Sequence, residues 1–538
     1  MCAGSAHLRR ARRCPKIPEI MGVRRSLAWA FACWAGTAVE GVAGAPLHVQ
    51  VVDDATGRTV PARAYLWRGE EPLLPEGFSS YARGDERHFL VPGDFELDLE
   101  PGRYRLRVER GLEYVPVELD LDIRRSTIVP VRLRRWIDMN GDGWYSADIH
   151  VHRDPAEIPL ILRAEDLNFV PTITTHVWST DVSQPWKGSR AFPEVVEPGR
   201  LFTASAQEVE RIQGGPGAVI LLAKGLPLPF DGYEHYPPAV TYTRKTHEMG
   251  GFVEGDKLFW VDTFVNAALG EIDFVELNCN HFLPRLVDTD LAPWSHWPIE
   301  FGYRGSRGFA LWMMDFYYRI LNSGIELPLS AGSANGVKAT PVGCDRVYVR
   351  LGKERFDYPA FMDALKRGRS FSTNGPILEL DVDGRHGPGD RIDIRQGQEV
   401  RFRARVRSRG ELEVLQLIVN GQVVAEQTGQ HVRELTLEKA LRFDRSSWAA
   451  VRAFERSDSA EFWRPAGLVF AHTSPVYFLL GGRPVVVPES VQDLLQKVDR
   501  LITYTERLDG FRQEAHRKET LDVYREAREV LSRRLASP

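Results

Sequence analysis

The sequence predicts a multidomain protein of the α/β plus β class. Three observations carry this. Alternating strands separated by turns fill residues 46–135 and return over 379–485. Between them, residues 136–378 mix short apolar strands with helical stretches. A charged, amphipathic helical segment closes the chain over 486–538. At roughly 100–200 residues per domain, a chain of 538 residues has room for about three such units.

Residues 1–45 read as a leader, with Met21 as the true start. Met21-Gly22-Val23-Arg24-Arg25 supplies a charged region, Leu27 to Ala38 an apolar run, and Ala43-Gly44-Ala45 the small residues before a cleavage point. This predicts export to a periplasm or out of the cell. Cys2, Cys14 and Cys33 fall in the leader, so Cys279 and Cys344 remain and allow at most one disulfide. No other apolar stretch reaches about 18 residues, so no transmembrane segment is expected.

Residues 46–135 predict a small β-sandwich. Leu47 to Val52 alternates, Asp53-Asp54-Ala55-Thr56-Gly57 marks a turn, and Pro101-Gly102 opens the alternating strand Arg103 to Val108. The P-G-x-Y-x-L-x-V pattern resembles carboxypeptidase-regulatory-like domains, which implies a spacer or binding module.

Residues 136–378 predict an α/β unit with a mainly parallel sheet, open or closed into a barrel. Asn168 to Thr174, Ala218 to Leu222 and Asp273 to Leu277 are its apolar strands; Gly308 to Leu321 and Tyr358 to Arg367 are helical. Residues 379–485 predict a second sandwich. Glu399 to Val406 alternates charged with apolar residues, and Asn420-Gly421 is a hairpin signal. Val491, Leu494, Leu495, Val498, Leu501 and Ile502 recur at helical spacing over 486–538. That stripe suits packing on the body, helix pairing, or a homodimer through the tail.

Lys and Arg total 69 against 73 Asp and Glu, a net charge of -4. This disfavours a nucleic-acid partner, which needs a basic surface. The chemistry lies in Gly143-Trp144-Tyr145-Ser146-Ala147-Asp148-Ile149-His150-Val151-His152. Residues two apart on a strand share a face, so His150 and His152 can offer two imidazoles to one ion.

This stretch resembles the first motif of the PHP-like metallohydrolases of the CehA/McbA family, whose exported, Planctomycete-type members also carry stretches like those at 259–262 and 275–281 of this chain. Glu165 to His176, Ser205-Ala206-Gln207-Glu208-Val209, Phe259-Trp260-Val261-Asp262 and Val275 to His281 resemble later stretches in order. Ala331 to Val337 holds the place of the closing motif, and Gly368 to Pro376 completes the series. The resemblance covers residues 136–378 and the sandwich after them. It implies a PHP-like distorted β/α barrel flanked by N- and C-terminal β-sandwiches. It also implies an exported hydrolase that uses a metal-activated water on an ester, amide, carbamate or phosphoester of a small-molecule or glycan-derived substrate.

The closing motif of such proteins reads G-S-D-x-H, whereas this chain has Gly332-Ser333-Ala334-Asn335-Gly336. A middle-strand His also lacks a counterpart, with His247 and His235 as substitutes in loops. Three ions are therefore not expected; one or two divalent transition ions (zinc, manganese or iron) are. The metal candidates are His150, His152, His176, Glu208 and His281. The catalytic candidates are His176, Glu208 and Asp262. Asp262 doubles as a helix N-cap, and Asp148 and Asp154 as partners that orient a His. The rival expectation is a catalytically degenerate PHP-like barrel that binds a glycan or a partner in the envelope.

Two other stretches carry weaker signals. Asp138-Met139-Asn140-Gly141-Asp142-Gly143 begins like a calcium loop, but its twelfth position is Ile149 instead of Glu. Trp260, Trp294 and Trp297, with Phe259 and Tyr303, suit either an aromatic substrate wall or core packing.

Overall fold

Alternation in the first strand builds the N-terminal sandwich. Along Ala45–Asp53, Leu47, Val49 and Val51 are fully buried while the residues between them face outward. The strand lies between Asp94–Leu99, antiparallel, and Thr127–Leu133, parallel. A second sheet runs in the order Ser79–Arg83, Glu86–Val91, Ala62–Arg68, Gly102–Glu109 and Val117–Ile123. Phe89, Leu106 and Val108 fill the space between the sheets. This computed structural model describes residues 45–178, 181–182, 190–211, 217–282, 303, 305–456 and 468–536. The leader expectation, with its three cysteines, and the Trp294 and Trp297 reading lie outside the described residues.

The β/α barrel expected for 136–378 is corrected. The protein is sheet-rich, 43% strand against 21% helix, and no barrel is seen among the described residues. Its strands instead join one hydrogen-bonded path of 17, which starts at Trp144–Ala147 and runs on into the C-terminal region. The physical reason lies in the connections. Parallel neighbours need crossovers of about a dozen residues or more. Glu194–Glu197 reaches Arg200–Arg211 through Pro198 and Gly199 alone, and the strand after it, Gly217–Leu222, starts only a few residues on. Both pairs are therefore antiparallel; Gly217–Leu222 and Phe252–Gly255 are antiparallel as well, although the helix Val240–Glu248 lies between them, so link length does not explain that pair. Parallel pairing survives where helices intervene, as between Trp144–Ala147 and Phe169–Trp178. It also holds between Phe274–Cys279 and Leu329–Gly332.

The N-terminal sandwich is more than a spacer. Buried Arg63 bonds Glu109 at 2.5 Å and, across the seam, Glu165 at 2.7 Å. Asp166 accepts from Arg110, Arg135 and Arg200. Tyr81 donates to the Lys338 carbonyl at 2.5 Å and accepts from the Gly336 N–H at 2.9 Å. The sandwich thereby braces the loop that carries the closing-motif positions.

In the C-terminal region Ile377–Val382, Gln398–Arg407 and Glu434–Phe443 form a three-stranded sheet. Its apolar face meets Phe478 and Leu415 of the long path. Asn420 and Gly421 make the tight turn between Leu412–Val419 and Gln422–Thr428, both with positive φ, as a type I′ hairpin requires. The helices Pro488–Arg507 and Glu514–Ala536 pack on each other and on Gly305–Asn322 and Thr263–Ala268. Val491, Leu494, Val498 and Leu501 of the tail stripe are buried within the chain itself. No described helix is long and apolar enough to cross a membrane. Cys279 and Cys344 are both buried and are not joined in a disulfide.

Candidate metal centre

Past Trp144–Ala147 the chain bends at Ile149 and pairs again at Val151. Val151 bridges Thr172 on one side and Asn335 on the other. His150 and His152 therefore project to one face, as their spacing predicts. Asp148 fixes this segment through the backbone: it accepts from the N–H of His150 at 3.2 Å, of Ser333 at 3.0 Å and of Gly343 at 2.7 Å. It thus positions the chain at His150 and leaves the ring to other partners. Asp154 caps a turn at Ala156.

Glu208, on the strand Arg200–Arg211, faces both rings. His150 Nε2 and His152 Nε2 are 3.1 Å apart. His152 Nε2 lies 3.2 Å from Glu208 Oε2, and His150 Nε2 lies 3.6 Å from Glu208 Oε1. A tetrahedral ion with bonds of about 2.1 Å spaces its ligand atoms by about 3.4 Å. The Nε2–Nε2 separation is close to that edge and each ring has one oxygen of Glu208 at similar range, so the two rings and the carboxylate could hold one transition ion.

The other edge of His150 is already occupied. Nδ1 is 2.9 Å from Glu276 Oε1 and 3.1 Å from Asp256 Oδ1. An Nδ1–H bonded to carboxylate leaves Nε2 with the lone pair a metal needs. Lys257 bonds Asp256, stands 3.0 Å from Glu276 Oε2, and is 3.4 Å from His150 Nδ1. Trp260 Nε1 donates to Asp256 at 2.7 Å. Close approach here depends on Gly332: a Cβ on it would overlap His150 Cβ and Glu276 Oε1.

Above the three donors opens a cavity of about 330 Å³, lined by Glu210, Asn280, His281 and Lys338 among others. A larger depression of about 650 Å³ on the C-terminal sandwich is walled by Arg401, Arg403, Glu438 and Lys439, all solvent-exposed. Ionisable groups that are buried and converge occur in the smaller one.

Electrostatics sort the groups. Burial opposes charge on Glu208, but the imidazoles of His152 and His150 outweigh it and hold the carboxyl at about 2. Burial pushes His152 below its usual range, so its lone pair is available. Burial and Lys257 both disfavour charge on His150, yet Glu276 and Asp256 win and raise its pKa well above the ordinary value. An ion taken up at Nε2 must then displace a proton, so binding weakens as pH falls. Burial, reinforced by neighbouring Glu208, pushes Glu210 up to about 8. Burial drives His281 well below its usual range, so it stays neutral.

The sequence candidates divide. His150, His152 and Glu208 converge. His281 lines the same cavity, its ring edge-on to Phe259 at 5.1 Å. His176 is half-buried on Phe169–Trp178, its ring centroid 5.8 Å from that of His152. Asp262 stands apart from both ligand groups: it accepts from Asn266 at 3.2 Å and lies against Gly217. It does sit at the start of Thr263–Ala268, but its side chain makes no capping bond there. His247 pairs with Asp273, and His235 packs on Phe511. Trp260 belongs to the core and serves Asp256, and Tyr303 bonds Asp315. The Asp138 loop closes on itself, with Gly141 N–H on Asp138.

Glu210, Asp256, Lys257 and Glu276 escaped sequence reasoning. One signal existed: Glu276 stands in Phe274–Cys279, a strand buried at every position. A buried carboxylate needs a partner.

No family model matches the chain, and no curated protein matches it. Among solved structures it is similar to the crystal structure of a DUF3823 family protein from Bacteroides uniformis ATCC 8492 at 1.90 Å resolution. That likeness has 7% identity, covers 81% of this chain and 99% of that one, and has a TM-score of 0.12. A likeness at that level carries no argument about fold or function.

Proposed function

We propose that the chain is a metal-dependent hydrolase working with one divalent transition ion, zinc, manganese or iron. The observation that carries this reading is the convergence of His150 Nε2, His152 Nε2 and the Glu208 carboxylate. These residues would hold the ion. When bound, it supplies Lewis acidity that brings the pKa of a water from about 15.7 towards 7.

The chain's own groups do the rest. Glu276 and Asp256 hold the proton on His150 Nδ1, so the proton that an ion displaces is the one on Nε2. Glu210, protonated at neutral pH, lines the cavity and is placed to give its proton to a leaving group. It takes the acid–base role that the sequence assigned to Asp262. Neutral His281 and the Asn280 amide offer hydrogen bonds to the substrate. A cavity of about 330 Å³ suits a small molecule or a glycan-derived fragment bearing an ester, amide, carbamate or phosphoester. The resemblance of residues 143–152 and 205–209 to PHP-like metallohydrolases of the CehA/McbA family supports the same chemistry. The leader pattern extends the reading to an exported enzyme, which N-terminal sequencing of the secreted protein tests.

The deciding experiment is metal content by mass spectrometry on the wild-type chain and on His150→Ala/His152→Ala. One ion per chain, lost in the variant, is expected. A wild-type chain that stays empty after incubation with zinc, manganese and iron would leave the rival, a non-catalytic protein that binds a glycan or a partner.

A further inference from the structure

A second group of possible ligands adjoins the first. His150 Nδ1, Asp256 and Glu276 lie close enough together to hold an ion. Two such groups sharing one imidazole are the makings of a two-ion centre. In this chain, however, the second group already contains a cation.

Lys257 follows the strand Phe252–Gly255 and is 2% exposed. Its ammonium bonds Asp256, sits 3.0 Å from Glu276 Oε2 and is 3.4 Å from His150 Nδ1, the three partners that would surround an ion. A metal bonded to these carboxylates at about 2.0–2.2 Å would overlap the ammonium in space and repel its charge. Burying a lysine this deeply is costly unless carboxylates surround it, and these two do. Trp260 donates to the far oxygen of Asp256, the one that Lys257 does not take. We propose that Lys257 is a resident cation that occupies the second ion's position and makes the centre mononuclear by construction. The proposal rests on the reading of His150, His152 and Glu208 as the ligands of a first ion.

The test compares full-length wild type, Lys257→Arg and Lys257→Ala, each loaded with Mn²⁺ or Zn²⁺ and freed of excess. Stoichiometry is read by mass spectrometry. Electron paramagnetic resonance of the manganese forms separates an isolated ion from a spin-coupled pair. One ion is expected in wild type and in Lys257→Arg, and two, spin-coupled, in Lys257→Ala. Two tight ions in wild type overturn the proposal, and so does a folded Lys257→Ala chain that still holds one. Should Lys257→Ala fail to fold, Asp256→Asn in the Lys257 background decides. It keeps one ion if the second group holds none, whereas a fall by one ion relative to wild type overturns the proposal. An empty wild-type chain overturns this proposal together with the site reading; one ion in wild type and one in a folded Lys257→Ala overturn this proposal alone.

Discussion

Because one imidazole serves two carboxylate groups, replacing one carboxylate at a time tells which edge of His150 faces the ion. Glu208→Gln removes a ligand 3.2 Å from His152 Nε2. Glu276→Gln removes a charge 2.9 Å from His150 Nδ1 while keeping an amide oxygen that can still accept the Nδ1–H. If the ion sits on Nε2, Glu276 is an outer partner, and such partners are worth about 10–100-fold in affinity. At 1.4 kcal/mol per decade that is about 1.4–2.8 kcal/mol. Glu208→Gln should instead reduce binding below detection. Isothermal titration with Zn²⁺ at one pH and salt concentration measures both, with thermal melts to show that each variant is folded. The reverse order, with Glu276→Gln abolishing binding and Glu208→Gln losing a decade or two, would refute the assignment and move the ion to the Nδ1 edge.

Four further outcomes are expected. Gly332→Ala places a Cβ against His150 and Glu276, so overpacking should cost about 1–3 kcal/mol in urea unfolding and weaken zinc binding alongside. Arg63→Met leaves Glu109 and Glu165 buried without their shared cation, so the unfolding free energy should fall by about 3–5 kcal/mol. Glu210 is protonated below about 8, so kcat should decline as pH rises through that value; Glu210→Gln should lower kcat by about 10²–10⁴ and abolish that limb. A hydrogen bond to Asp273 raises His247 above its ordinary 6.5. Its contribution to stability is complete below pH 6.5 and disappears as pH rises through the raised folded value. Melting temperature against pH should therefore slope less in His247→Gln over that window, and parallel curves would discard the assignment.

What the sequence disclosed follows from how local each feature is. The H-x-H pair was legible because period two survives in any extended backbone, even beyond the end of a regular strand. Glu208 was legible through its motif, although its burial on a strand was not. The sandwiches were legible from alternation, and the Asn420-Gly421 turn from its chemistry. The barrel was misread because apolar runs do not say whether neighbours are parallel. The short links between Glu197 and Arg200 and between Arg211 and Gly217 hold that information, and they force antiparallel pairing. Asp256, Lys257 and Glu276 depend on pairing between Phe252–Gly255 and Phe274–Cys279, which brings together residues about 20 apart in sequence. Asp262 was a catalytic candidate through the stretch that resembles the family, but its side chain accepts from Asn266.

The closing-motif departures and Lys257 can be understood together. The pattern that residues 332–336 resemble carries Asp and His where this chain has Ala334 and Gly336. Ala334 lines the cavity with a φ of 50°, and its methyl group offers no ligand. Gly336 has a φ of 104°, and a Cβ there would overlap the His152 carbonyl, so no His fits at that position. That backbone is held by the Tyr81 hydroxyl on the Gly336 N–H and by the His152 N–H on the Asn335 carbonyl at 2.6 Å. A centre with fewer ligands carries fewer ions, and the carboxylates left over need another positive charge. Asp256 and Glu276 are both buried beside one imidazole, and without Lys257 only His150 would offset their two charges. Lys257 supplies that charge from the next residue in the chain, where no metal concentration can remove it. If His150, His152 and Glu208 hold one ion as proposed, the missing Asp and His leave that set untouched, and the groups to vary in search of activity are Glu208, Glu210 and Lys257.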